Sequence, residues 1–248
     1  MSIAEKALQL KEDFDEVYEA GNKNGYNEAT LKMWDAYTNK GKRERGERLF
    51  SQANFTNIEE LPYPLVIKDS MYRMFYDYRG GKLPRPQYVD LSQVAPTVDT
   101  GNMLAWWSPS NDAGWTADGV FPDYGLPAMN TYASSFTDAR KLMKIEILRV
   151  HETTTFSGPF NNCLNLKDIT FEGVIGRSIS FSTCPLSVES MKNIITHLKD
   201  YSGTTNAGKY TLTLKDSCKT EMANQGAIEE FGGKTYDQYI ADIGWNLA

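Results

Sequence analysis

Two stretches of the sequence repeat one another at a distance of 24 residues. The repeated positions are apolar or small: Phe136, Ala139, Leu142, Ile145 and Ile147 in the first copy, and Phe160, Cys163, Leu166, Ile169 and Phe171 in the second. A period in the twenties with a Leu-x-x-Ile-x-(Ile/Phe) core is typical of a solenoid, in which each repeat forms one turn of the chain. We therefore predict that residues 136 to 182 stack as successive coils, with Ile145 beside Ile169.

The cysteines fit the same prediction. Cys163, Cys184 and Cys218 are an odd number, and no two of them have CxxC spacing, which favours reduced thiols over a disulfide framework. In the repeat, Cys163 takes the position of Ala139, where a small residue would point into the coil. A buried thiol packs as a small apolar group, so we predict that Cys163 and Cys184 are reduced and buried.

The segment after the repeat predicts elements that cover the end of a solenoid. "GRSISFSTCP" gives another alternating strand, and Ser187 is placed to N-cap a helix over "VESMKNIITHLKDY", with Gly203 just beyond its end. "KYTLTL" and the terminal "IGWNLA" have the pattern of strands separated by a polar loop. Exposed solenoid ends need such covers.

The N-terminal segment has the pattern of an association helix. Its apolar residues alternate at spacings of four and three, the seam of a short coiled coil: Ile3, Ala7, Leu10, Phe14 and Val17. The pattern spans fewer than three heptads, and the alternative is an amphipathic helix that packs on its own subunit. A second short helix is predicted around Leu31, Trp34 and Tyr37.

Between residues 57 and 132 the periodicity fades, and prolines separate short apolar pieces such as "PLVIKD" and "NMLAWWS". This pattern indicates irregular short strands and turns. Three regions result: a helical assembly module over residues 1–56, an irregular β-rich region over 57–132, and a solenoid with its cover over 133–248.

Charge and hydropathy exclude several classes of partner. The formal net charge is −6 and the pI is about 5.1, so the overall field repels nucleic acid. The sequence has no run of about 18 apolar residues, and Glu5, Lys6 and Lys11 interrupt the place where a signal peptide would be apolar. We expect neither a membrane partner nor export.

No motif in the sequence predicts catalysis. His151 and His197 are the only histidines and lack ligands at metal-binding spacing, and no GxSxG, Walker or GxGxxG pattern occurs. We therefore expect no metal and no cofactor. A glycosidase needs only two carboxylates, which keeps glycan cleavage open as an alternative.

The stretch "AWWSPSNDAGW" is the strongest indication of a ligand surface. Trp106, Trp107 and Trp115, together with Tyr124, could offer flat apolar faces to sugar rings. The alternative is that these rings form the core or a subunit contact, and at least one of the adjacent Trp106 and Trp107 is expected to point inward.

The repeat "FNNCLNLKDITFEG" resembles the bacterial leucine-rich repeats of the BspA type, with their F-x-x-C-x-x-L-x-x-I-x-(I/F) core. The tail from "CPLSVESMKNIITHLKDY" onward and the opening "VYEAGNKNGYNEATLKMWDAYTNKGKRERGERLF" are similar to segments that accompany such repeats in structural proteins of phages infecting gut bacteria. The resemblance covers about three fifths of the chain, and the first repeat departs from it by having Ala139 in place of Cys.

The resemblance implies an α+β protein with N-terminal helices, an irregular β-rich middle and a short leucine-rich-repeat solenoid with an α/β cap. It implies a non-enzymatic virion protein of the tail, baseplate or fibre, made in the host cytoplasm. Expected partners are other virion proteins, further copies of the chain in a homo-oligomer with a trimer as the favoured state, and a host surface glycan or protein. The alternatives are a bacterial surface or cytoplasmic repeat protein and a glycan-cleaving virion enzyme.

Overall fold

The computed structural model describes residues 46–47, 49–51, 64–78, 82–107 and 118–248. In these residues the chain forms a parallel β-solenoid of about four turns. The N-terminal helices predicted from the sequence, including Ile3, Ala7, Leu10, Phe14 and Val17, lie outside the described residues, as does Trp115.

The coils of the solenoid are joined by parallel strand pairs on two sides. The first side carries β1–β2 and β3–β5–β7, and the second carries β4–β6 and, after the last coil, β8–β9–β10. The strands are β1 Leu65–Val66, β2 Val89–Asp90, β3 Gly119–Phe121, β4 Thr131–Ala133, β5 Leu142–Val150, β6 Thr155–Ser157, β7 Asp168–Gly173, β8 Ile179–Phe181, β9 Thr211–Leu214 and β10 Asn246–Leu247. A hydrogen bond from Leu91 N–H to Tyr124 O connects β2 to the segment after β3.

The predicted contact between the repeats is confirmed. Ile145 of β5 pairs with Ile169 of β7, and both side chains are buried. Beyond this pair the register shifts, so that Leu148, and not Ile147, lies opposite Phe171. The predicted equivalence of Ile147 and Phe171 is therefore wrong, because a bulge places one extra residue in β5.

Each coil contains a turn that is built around one buried residue. These residues lie above one another along the solenoid and form what is called here the core column. The column consists of Phe50, Phe75, Leu104, Phe136, Phe160 and Phe181, all at most 1% exposed. Phe50 stacks on Phe75 with ring centroids 4.7 Å apart, and Phe160 stacks between Phe136 (5.7 Å) and Phe181 (4.7 Å). These two groups of stacked rings, with Leu104 between them, fill the solenoid interior and fix the register of the turns.

The backbone of these turns repeats in detail. In the four turns built on Phe75, Leu104, Phe136 and Phe160, the residues two before and two after the column residue have positive φ: Arg73 and Asp77, Asn102 and Trp106, Ser134 and Asp138, and Gly158 and Asn162. In the first three of these turns the column residue and both of these neighbours donate their N–H groups to the next coil, as in Phe75 to Met103 O at 2.7 Å. The ladder runs without interruption through the position near residue 132 where the sequence suggested a regional boundary.

The segment that follows the last coil packs against its end. It contains helices α1 Val188–Thr196, α2 Asp216–Asn224 and α3 Tyr236–Asp242. Ser187 caps α1 by accepting the Ser190 N–H, as predicted. The open edge of β7 finds acceptors on α1, because Ile169 N–H donates to Ser190 Oγ (2.9 Å) and Phe171 N–H donates to Asn193 Oδ1 (2.7 Å). The polar loop predicted between β9 and β10 is wrong in part, since it contains α2 and α3.

The three cysteines are buried and form no disulfide. Cys163 donates to Phe136 O and Cys184 donates to Phe160 O, so each thiol bonds to the coil before it. Burial raises the pKa of Cys163 well above its usual range and that of Cys184 to about 12. The predicted state of Cys163 and Cys184 is confirmed. Over the described part of the chain, no helix has the length and apolar character that a membrane crossing requires.

Candidate ligand-binding surface

Of the four aromatic residues predicted to form a ligand surface, Trp115 lies outside the described residues, and the other three do not form an exposed cluster. Trp107 is fully buried and Tyr124 is 3% exposed, with its hydroxyl donating to Pro84 O at 2.7 Å. These two residues belong to the core, so their assignment to an exposed surface is wrong. Trp106 is 50% exposed, and the expectation that one of the adjacent tryptophans points inward is confirmed.

The position of each tryptophan in its turn explains the difference. Trp107 lies three residues after Leu104, in the inner position that Tyr78, Ala139 and Cys163 occupy in other coils. Trp106 lies one residue earlier, has φ of 65°, and donates its N–H to Thr137 O. The left-handed backbone at Trp106 directs its side chain away from the core, whereas the side chain of Trp107 is buried inside the coil.

Trp106 belongs to a column on the outside of the turns, called here the outer column. Its members are the residues two positions after each column residue of the core: Asp77, Trp106, Asp138 and Asn162. Asn162 and Trp106 are exposed, while Asp77 and Asp138 are half-buried. Asn162 donates from Nδ2 to Asp138 Oδ1 at 3.1 Å, across one coil spacing. The outer column therefore presents one indole flanked by carboxylate and amide groups.

A guanidinium lies over two tyrosine rings in the turn that contains Phe75. The Arg73 guanidinium carbon is 5.1 Å from the centroid of the Tyr72 ring and 4.6 Å from that of Tyr76. Its Nε atom is buried and has no hydrogen-bond partner among the described residues. The guanidinium and the two rings form one cluster in this turn.

A second polar cluster lies on the strand side of the solenoid. Arg149 binds Asp123 in a bidentate pair, with distances of 2.8 and 2.9 Å, and its Nε is 3.2 Å from Glu172. The hydrogen bonds from Arg149 hold the pKa of Asp123 below its usual range. Glu146 accepts the Asp123 N–H at 3.0 Å. These groups bond to one another across neighbouring coils, which is a structural role.

The groove and the histidines of the described residues bring together fewer functional groups than the outer column does. A groove of about 250 Å³ is lined by residues 82–86 together with Asp118, Val120 and Pro122, and is mostly apolar. His197 contacts Asn193 O through Nδ1, and His151 is exposed on a turn. Within the described ranges, no three His, Cys, Asp or Glu side chains are placed to hold a metal ion.

Sequence reasoning found Trp106 but missed its neighbours in the outer column. Asp77, Asp138 and Asn162 become neighbours of Trp106 only when the turns are aligned on Phe75, Leu104, Phe136 and Phe160. The signal in the sequence was an Asp or Asn two residues after Phe75, Phe136 and Phe160. No known protein family matches the chain, and no curated protein or solved structure gives a significant match.

Proposed function

We propose that the chain is a non-enzymatic structural protein of a phage particle, a component of the tail, baseplate or fibre that takes part in assembly and binds a surface partner. The observation that carries this proposal is the solenoid itself, whose turns repeat one backbone geometry and so present an extended outer surface. The resemblance of "FNNCLNLKDITFEG" to BspA-type repeats supports the choice of class.

The proposal includes a finer description of the architecture. The coils are leucine-rich repeats of the BspA type, preceded by N-terminal helices, and the segment with α1, α2 and α3 is their α/β cap. Support for the cap comes from Ser190 and Asn193, which take the place of a further strand by accepting N–H groups of β7. Buried N–H groups at a solenoid end need such acceptors.

The proposal also includes self-association. The chain forms a homo-oligomer, with a trimer as the favoured state, through the helix that carries Ile3, Leu10 and Val17. The support is the apolar seam in the sequence and the resemblance to phage fibre proteins. Deletion of residues 1–20 should lower the oligomeric state measured by light scattering. An unchanged mass would show that the segment packs within its own subunit.

The location of the protein tests the main proposal. Mass spectrometry of purified particles should detect the protein at a fixed stoichiometry relative to the major capsid protein. Recovery in the bacterial envelope or cytoplasm, with none in particles, would favour a bacterial repeat protein and overturn the proposal. Release of reducing sugar from host polysaccharide by the purified protein would instead identify a glycan-cleaving enzyme.

A further inference from the structure

Trp106 departs from the residue types of its own column. Asp77, Asp138 and Asn162 also have positive φ, and Asp and Asn tolerate the left-handed region because their short side chains bond locally. A tryptophan has no such compensation and is strained there. The turn geometry therefore favours Asp or Asn at position 106, and the tryptophan is present despite the backbone.

Packing accounts for the tryptophan only in part. Half of the Trp106 surface is exposed, whereas Trp107 in the next position is fully buried. A residue that breaks a local rule of the fold while leaving half of a large apolar side chain in solvent indicates a functional position. The exposed indole offers a large, flat apolar face whose ordering on binding costs little entropy.

The groups on both sides of Trp106 define the ligand that suits it. A sugar ring has a face of C–H groups, which packs on an indole, and a rim of hydroxyls, which donate to carboxylate and amide oxygens. Neighbouring coils are about 4.8 Å apart, close to the length of one pyranose unit in an extended glycan. A glycan parallel to the solenoid axis thus meets one outer-column residue per sugar.

We propose that the outer column binds an extended, uncharged glycan, with one sugar stacked on Trp106 and adjacent sugars hydrogen-bonded to Asp77, Asp138 and Asn162. This inference rests on the proposed surface-binding function and names its ligand class. The carboxylates disfavour phosphate-rich and acidic polymers by like-charge repulsion. A protein partner fits less well, because one indole surrounded by polar groups lacks the apolar centre of a stable protein interface.

Affinity electrophoresis tests the inference with hydroxyethyl cellulose, laminarin, mannan, xylan and dextran in the gel. At least one of them should retard the full-length protein, and Trp106→Asn should weaken that retardation at least tenfold. The matched control is Leu164→Ala, which removes another half-exposed apolar side chain (48%) outside the outer column and should leave retardation unchanged. Unchanged retardation of Trp106→Asn, or no retardation on any polysaccharide, overturns the inference.

Thermal unfolding of the same variant distinguishes a binding residue from a structural one. Asn suits the left-handed backbone at position 106, so Trp106→Asn should have a Tm equal to or above that of the parent protein. A lower Tm would mean that the indole stabilises the fold and would overturn the inference. For the polysaccharide that binds, affinity for its oligosaccharides should rise with length until the chain covers the positions from Asp77 to Asn162.

The virion role and the glycan site would be overturned by different results. Protein found in particles but not retarded by any polysaccharide leaves the virion role standing and removes the glycan site. Retardation that depends on Trp106, with no protein in particles, keeps the glycan site and removes the virion role. Capture of host cells that persists after their polysaccharide is stripped would identify a protein receptor and contradict the glycan site.

Discussion

The two halves of the solenoid reach the same turn geometry from different sequence spacings. From Phe136 to Phe160 the core column advances by 24 residues, whereas from Phe75 to Leu104 and from Leu104 to Phe136 it advances by 29 and 32. The N–H ladder and the paired positive φ values are nevertheless present in both halves. The turn is the constant part of the coil, and the chain between turns varies in length.

The inner side chains differ in size between the two halves. Three residues after the core column, the first half has the large side chains of Tyr78 and Trp107, with ring centroids 6.3 Å apart, and the second half has Ala139 and Cys163. All four residues are buried. Because protein interiors are close-packed, the inner position of the first half is filled by large rings and that of the second half by small side chains.

The largest expected effect on stability comes from truncating Trp107, the large inner residue of the first half. Trp107→Ala should lower the free energy of unfolding by about 3–5 kcal/mol, whereas Cys163→Ala at the equivalent position removes one atom and should cost about 1 kcal/mol or less. Urea unfolding followed by far-UV circular dichroism measures both. Trp106→Ala, which changes the adjacent exposed residue, is the control and should stay within about 0.5 kcal/mol of the parent. Equal losses for Trp107→Ala and Cys163→Ala would show that the two halves are packed alike.

The comparison also explains how much of the fold the sequence could predict. Ile145 and Ile169 were recognisable as partners because their coils have equal length and matching apolar residues. The coils around Phe75 and Leu104 could not be recognised in this way, since a search for a fixed period cannot detect spacings of 29 and 32 residues. The bulge before Leu148 was also hidden, because one extra residue in β5 leaves the apolar pattern of both strands intact.

Helix α2 was missed for a different reason. It buries only Cys218 and Met222, four residues apart on one turn, and its other residues are largely polar, so its pattern resembles a loop. The candidate site was predictable only in part, because local sequence could show that one of Trp106 and Trp107 faces outward but not which one. Which tryptophan faces outward is decided by the left-handed backbone of the turn. Which residues flank it is decided by contacts between coils.

A smaller effect on stability is expected at the end of the second half of the solenoid, where β7 meets α1. Asn193→Ala removes the acceptor of the Phe171 N–H and should cost about 1–3 kcal/mol, because a partly buried donor loses its partner. Asn193→Asp keeps an oxygen at that place and should recover most of the stability. Hydrogen exchange should locate the effect at the amide of Phe171. Slow exchange there in Asn193→Ala would contradict the role of α1 as the acceptor for this edge.

The ion pair between Asp123 and Arg149, which links neighbouring coils, should make stability depend on pH. Asp123→Asn should lower the free energy of unfolding at pH 7 by about 0.5–1 kcal/mol, since the pair with Arg149 is partly exposed. The pKa of Asp123 is lower in the folded protein, so its stabilisation is present above about pH 4 and is lost as the pH falls through the folded value.

Urea unfolding from pH 7 to pH 2 measures this loss. The parent protein and Asp123→Asn should converge in stability at the acid end of the series. The control is Glu172→Gln, which changes the more exposed partner of Arg149 and should have the smaller effect at pH 7. A constant difference between Asp123→Asn and the parent at every pH would show that the ion pair does not stabilise the link.

The smallest expected effect tests whether the turns are equivalent in energy as well as in geometry. Ser134 and Gly158 occupy the same position in successive turns, with φ of 51° and 60°. Glycine adopts positive φ without steric cost, so Ser134→Gly should raise the free energy of unfolding by about 0.5 kcal/mol, after the greater flexibility of the unfolded chain is counted.

The reverse change, Gly158→Ser, should lower the free energy of unfolding by about 1 kcal/mol. A Cβ atom at residue 158 would lie 2.5 Å from Asn161 Nδ2, which an exposed side chain can relieve by moving. Thermal and urea unfolding of both variants give the signs. Opposite signs mean that the turn backbone sets the preference in both coils. A loss in both variants would mean that Ser134 contributes contacts of its own, and the turns would then be equivalent in shape only.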